Sequence, residues 1–240
     1  MQPADAHHAS ARLGLTLRSI ILGPKEGFAG AFKVVDRRAR AATKPAEGYG
    51  SYALAFVGGA ALVILWLKLG SLLGLREFCT DQRVAAYLTL SLVVGGLLGL
   101  AAQALWGVAG TKAFDAMHAP ARAADLRLVW GASAFPQVLA LVLLLPLDLL
   151  IVGGDSFTSR PLVDTVSTAW AAFSIAAALS FSVWSLYLFV RGTEVATSSR
   201  IGRGLVGAGI ALLCLVAVVA CVAIAGALIA EGGGCPTRLG

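Results

Sequence analysis

Five stretches of this chain run for twenty residues or more with no charged side chain: 48–67, 84–111, 128–147, 165–190 and 204–230. Each matches or exceeds the roughly 20 apolar residues that cross a hydrocarbon core about 30 Å thick. In lipid no water satisfies exposed backbone groups, so stretches this long and this uniformly apolar must be helices. Barrel strands would be about 10 residues long and alternating. The expected fold is therefore all-α, a polytopic five-transmembrane-helix bundle. Its spans are expected at about 50–72, 84–110, 128–151, 165–190 and 204–230, within a membrane domain over 48–230. An N-terminal cytoplasmic segment over 1–47 precedes it, and an external tail over 231–240 follows.

Composition supports this assignment. The chain is 58% hydrophobic and 13% charged, with a mean hydropathy of +0.82, whereas soluble domains carry about 25% charged residues. The net charge of +6 does not point to nucleic acid, because the basic residues flank the spans instead of forming a separate basic fold.

Orientation follows from the retention of Lys and Arg on the cytoplasmic side of span ends. Fourteen of the 19 fall in the N-terminal segment and the second and fourth connections, and five on the other side. The N-terminus is thus expected in the cytoplasm and the C-terminus outside. The stretch 13–22 is interrupted by Arg18 and followed by Gly23-Pro24, which does not fit a cleaved signal peptide. Pro24 suits the first turn of a helix. Over about 24–42, Phe28, Phe32, Val35 and Ala39 recur at helical spacing, with Lys33, Arg37 and Arg40 toward the other side. This is a basic amphipathic helix. It either lies among anionic headgroups, at about 1 kcal/mol per basic residue, or packs its apolar stripe on the cytoplasmic ends of the spans.

Helices in lipid associate through small residues and shared polar groups. In the second span Ser91, Gly95, Gly99, Gln103 and Gly107 recur every fourth residue, a stripe for packing within the bundle or against a second copy of the chain. The fourth span carries Ser167, Ala171, Ser174, Ala178, Ser182 and Ser185, and the first Ala55 and Gly59. The third span contains Pro136 and Pro146, each of which removes a backbone hydrogen bond. It is expected to be kinked or broken, with Ser133 and Gln137 sharing the freed groups. A broken span is where a transporter would build a binding pocket. Lys68 and Asp148 are expected at outer span ends, where snorkelling suffices, and the five tryptophans at the interfaces.

No catalytic, cofactor or metal-binding constellation is expected. His7, His8 and His118 lie outside the spans, and neither HExxH nor GxSxG occurs. The expected partners are membrane lipids, an unidentified membrane or cytoplasmic protein, or a second copy of the chain.

The arrangement resembles the Ypt-interacting-protein (Yip) domain family, especially its prokaryotic members. The residues that carry the resemblance are Gly23-Pro24 with Phe28, the Trp106-Gly107 span end, Val129-Trp130-Gly131-Ala132-Ser133-Ala134-Phe135-Pro136 at the third span, and Trp184 to Leu188 with Arg191 to Val195 after the fourth. It covers residues 20 to 230 and lacks the DLYGP-type motif of eukaryotic members. It implies a non-enzymatic, membrane-organising or adaptor protein. The alternative is a small-molecule or lipid transporter or channel component built on the broken third span. The Ala, Gly, Leu and Arg richness looks bacterial, which implies the inner (plasma) membrane.

Under this topology Cys79 and Cys235 share the external side, where a disulfide is permitted. The expected outcome of alkylation in intact cells is that both thiols react only after reduction. Labelling of both beforehand excludes the bridge.

Overall fold

The computed structural model describes residues 17–41, 49–72, 82–153, 165–197 and, at the start of the last apolar stretch, 206, 207, 209, 210 and 213. A short helix α1 (17–22) leads through Gly23 into α2 (Pro24–Ala41). Then follow α3 (Tyr49–Leu72), α4 (Gln82–Ala116), α5 (Ala123–Ser133), α6 (Phe135–Ile151) and α7 (Thr165–Ala196). Among the described residues, four stretches are long and apolar enough to cross a membrane: Gly50–Leu69, Leu88–Ala116, Ala123–Ile151 and Thr165–Ala196. Only 22% to 39% of each span's most apolar window is buried, so most of their apolar surface faces outward. Leu90, Leu97, Val142, Leu150, Val183 and Leu186 lie on that outer surface. Apolar residues all round a helix are what lipid solvation asks for. The fifth expected span lies almost wholly outside the described residues.

Among the described helices the α3–α4 contact is the most extensive, and its glycines explain it. A Cβ on Gly59 would lie 2.6 Å from Gly99 Cα, and one on Gly95 would lie 2.8 Å from Ala60 Cα. The same atom on Gly99 would collide with the Ala55 carbonyl oxygen. Within the small-residue stripe of the second span, Gly95 and Gly99 therefore meet α3 of the same chain, while Gly107 faces Arg127 of α5. Gly131 plays the same part between α5 and α3, where a Cβ would meet Ser51 Cα at 2.8 Å. α5 sits among α3, α4 and α7, while α6 packs on α3 and α7. The chain thus alternates in direction: Ser51 at the start of α3 meets α5, and Lys68 near its end meets the end of α6.

The third passage divides at Ala134, which has φ −74° and ψ −10°. Its N–H reaches both Trp130 O and Gly131 O at 3.2 Å, and the ladder resumes with Val138 N donating to Ala134 O at 3.1 Å. Pro136, lacking a donor, occupies the first turn of α6. Pro146 lies inside α6, which continues to Ile151.

An apolar cluster closes the end nearest α2: Ile20, Phe28, Trp106, Phe114, Leu126, Val129, Leu188 and Phe189 are buried together. Phe28 is fully buried, and its ring edge would stand 2.9 Å from a Cβ at Gly192. Around Phe28, then, α2 packs on the bundle. Trp106 departs from the interfacial position expected of it. It is 0% exposed, and its indole N–H donates to Leu126 O at 3.1 Å. Phe114 and Phe189 meet its rings at 6.1 and 5.1 Å.

Gly99→Leu is expected to destabilise the bundle by about 3 kcal/mol, because the colliding atoms are backbone and cannot rotate away. Leu97→Ala, on the outer face of the same helix, should stay within about 0.5 kcal/mol. Unfolding in detergent measures both.

A buried ion pair between three helices

Lys68 sits one turn from the end of α3, Asp148 one turn from the end of α6, and Ser174 in the first half of α7. Lys68 Nζ lies 2.7 Å from Asp148 Oδ2 and donates to Ser174 Oγ at 2.6 Å. Trp170 Nε1 donates to the other carboxylate oxygen at 3.0 Å. Lys68 and Asp148 are each 4% exposed and Ser174 1%. This departs from the snorkelling expected of the two charges. Each has the other within reach, so neither side chain needs to extend to water. Bringing them together satisfies both inside a low-dielectric interior, where an unpaired charge is costly.

A cavity of about 40 Å³ adjoins the pair and is lined along α6 from Gln137 to Asp148. At roughly 10–15 Å³ per water it holds about three. Gln137 at its deep end is 4% exposed and donates to Ser182 Oγ at 2.8 Å. Ser182 in turn donates to Ala178 O at 2.9 Å. α7 therefore offers its small-residue stripe to α6 and α3: Ala171, Ser174 and Ala178 are all buried.

The other expected site residues fall as follows. Ser133 does not take up the carbonyl that Pro136 frees at Ala132; its hydroxyl donates to Trp130 O at 2.9 Å. Pro136 is buried beside Gln137, whereas Pro146 is exposed. Gln103 is 0% exposed and donates to Arg127 O at 2.8 Å and Ser51 O at 3.4 Å, which ties α4 to α5 and α3. Ser91, Gly95 and Gly99 share the buried face of α4 with Gln103. In α2, Phe32 is half-buried against the apolar cluster and Lys33 is exposed. Arg37 and Arg40 belong to the same helix, but their side chains, like Cys79 and Cys235, lie outside the described residues. Near the end of α7, Glu194 is 4% exposed and accepts from Arg191 at 3.0 Å. Arg191 also stands 5.5 Å from the Tyr187 ring centre.

The Lys68–Asp148 pair carried a sequence signal. In an alternating bundle the first and third spans run in the same direction, so a charge one turn from the end of each lands at one height. Their opposite signs then make pairing the expected outcome.

Comparisons of the chain with protein-family models, curated proteins and solved structures return no match.

Asp148→Asn or Lys68→Met alone is expected to destabilise the protein by about 3–5 kcal/mol, since each strands the opposite charge. The double variant Lys68→Met/Asp148→Leu should recover most of that loss. A double-mutant cycle of melting free energies in detergent measures the coupling.

Proposed function

We propose that the chain is a non-enzymatic, multi-pass integral membrane protein that organises lipid or holds partner proteins, with its N-terminus in the cytoplasm. The observation that carries this reading is the closure of the half of the bundle nearest α2. Gln103 and Ser133 are buried and bonded to backbone carbonyls. Beyond them Trp106, Phe114, Leu126, Val129 and Phe189 fill the interior between α4, α5 and α7. A water path needs polar, roomy lining, and this stretch offers aromatic rings in edge and tilted contact. The exposed cations of α2, Lys25 and Lys33, sit beside that closed end, where they suit anionic headgroups or an acidic partner. The resemblance to the Yip-domain family and a bacterial inner-membrane location belong to the same reading.

A second reading, as part of a transporter or channel, is favoured by one observation: the cavity beside Lys68 and Asp148 extends along α6 to Gln137. Intramembrane charges beside a cavity are a feature of substrate and ion pathways.

Cysteine accessibility separates the two. With Cys79, Cys214, Cys221 and Cys235 replaced by serine, Gln103→Cys and Ser133→Cys are expected to resist a membrane-impermeant maleimide in native membranes. Labelling of either from one side would replace the organising role by a conduit.

A further inference from the structure

We infer that the elbow between α1 and α2 is a membrane-surface contact that seats Leu22 among the headgroups of an anionic leaflet, with Arg18 and Lys25 against their phosphates. This deepens the lipid side of the proposed function and moves it off the face where the sequence placed it. Phe28 and Phe32, the apolar stripe of α2, are turned toward the bundle, so the protein itself occupies that stripe. Depth follows from the charges at this end. The charge-free stretches stop at Lys112 and Arg191 and begin after Arg127, and basic residues at span ends mark where hydrocarbon gives way to headgroups. α2 docks at that height. A Cβ on Gly192, the residue after Arg191, would stand 2.8 Å from Val129 Cγ1 and 2.9 Å from the Phe28 ring. Ile20 of α1 enters the same cluster, so both arms of the elbow are held beside the spans at the headgroup layer.

The elbow is closely packed. Gly23 N–H donates to Ser19 O at 2.9 Å and Gly27 N–H to Gly23 O at 2.8 Å. A Cβ on Gly27 would lie 2.6 Å from Ser19 C, so α1 and α2 touch backbone to backbone. Ile20 is 2% exposed, whereas Leu22, on the opposite side of α1 at the corner, is 75% exposed. Among the described residues, every other exposed large apolar side chain belongs to a candidate span or to the last apolar stretch. An apolar side chain held at the headgroup–acyl boundary gains by entering it.

Charge selects the lipid. Arg18, one turn before Leu22, and Lys25, just after the corner, are exposed, as are Lys33 and Glu26. Three cations against one anion favour an anionic leaflet. The aliphatic stems of Arg18 and Lys25 let their charges reach phosphate while Leu22 sits below it. An acidic protein would match the cations equally but not the depth, because lipid occupies the space beside the spans at this height.

The test uses the full-length chain with its four cysteines replaced by serine and a nitroxide at Leu22→Cys. It is placed in nanodiscs of phosphatidylcholine, with and without phosphatidylglycerol. With phosphatidylglycerol, collisions of the label with oxygen are expected to exceed those with a water-soluble nickel chelate. At Asp115→Cys, an exposed site beyond Lys112, the order should be reversed. Adding phosphatidylglycerol should lower nickel access at position 22 about threefold. Arg18→Glu/Lys25→Glu, at two exposed positions, should melt as the parent does and lose that response, whereas Arg18→Lys/Lys25→Arg should keep it. Nickel-favoured collisions at position 22 in both lipids, no response to phosphatidylglycerol, or a response that survives charge reversal would each overturn the inference. Immobilisation of the label by soluble polyglutamate and not by phosphatidylglycerol would also overturn it, and would assign the elbow to an acidic protein. None of these outcomes bears on maleimide protection at Gln103 and Ser133, so failure here is distinguishable from failure of the organising role.

Discussion

Close backbone approach between α3 and α4 is the constraint on which the rest of the bundle is built. Lipid tails solvate leucine as well as another helix does, so apolar side chains give these helices no reason to meet. What they gain by meeting is dispersion contact at short range and hydrogen bonds with no competing water. Gly59, Gly95 and Gly99 supply the first by carrying no side chain where the two backbones cross. Gln103 supplies the second one turn further along, where its amide joins the backbones of α5 and α3. With those two helices fixed, α5 docks through Gly131 on Ser51, and α6 and α7 complete the group through Lys68, Asp148 and Ser174.

The two ends of the bundle are held by different means. Near α2 the interior is aromatic and dense, and some of its polar groups are bonded to nearby carbonyls, as with Trp106 to Leu126 and Thr193 to Phe189. At the opposite end the interior is sparse: Ile64 forms a small cluster with Leu88, Leu141 and Leu145, and an ion pair stands where side-chain volume is lacking. A buried ion pair contributes little net stability, because desolvation offsets most of its attraction. Its physical effect is to fix which faces of α3, α6 and α7 meet.

Charge-free length was enough to read the helical membrane class and the approximate places of the four described spans. The small-residue stripe of the second span and the disruption of the third by Pro136 were equally legible, since spacing and a missing N–H are local properties. Partners were harder to read. Whether Gly95 and Gly99 face α3 or a second molecule depends on rotation about the helix axis, which helices apolar all round leave unmarked. Trp106 was misplaced because its position near a span end says nothing about which side of the helix it occupies. Lys68 and Asp148 were treated singly, although depth and direction together would have paired them. Ser133 bonded inside its own turn and not to the carbonyl freed by Pro136, a choice decided by rotamer and not by proximity in sequence.

The interruption at Ala134 also matters mechanically. One rung of the backbone ladder is already missing there, so flexing at that point requires less work than bending an intact helix. α5 is clamped among α3, α4 and α7, while α6 is held by α3 and α7. The third passage is therefore two rods of 11 and 17 residues joined at Ala134. A load that bends the third passage would be taken up as a change of angle at this joint, leaving the glycine crossing of α3 and α4 undisturbed.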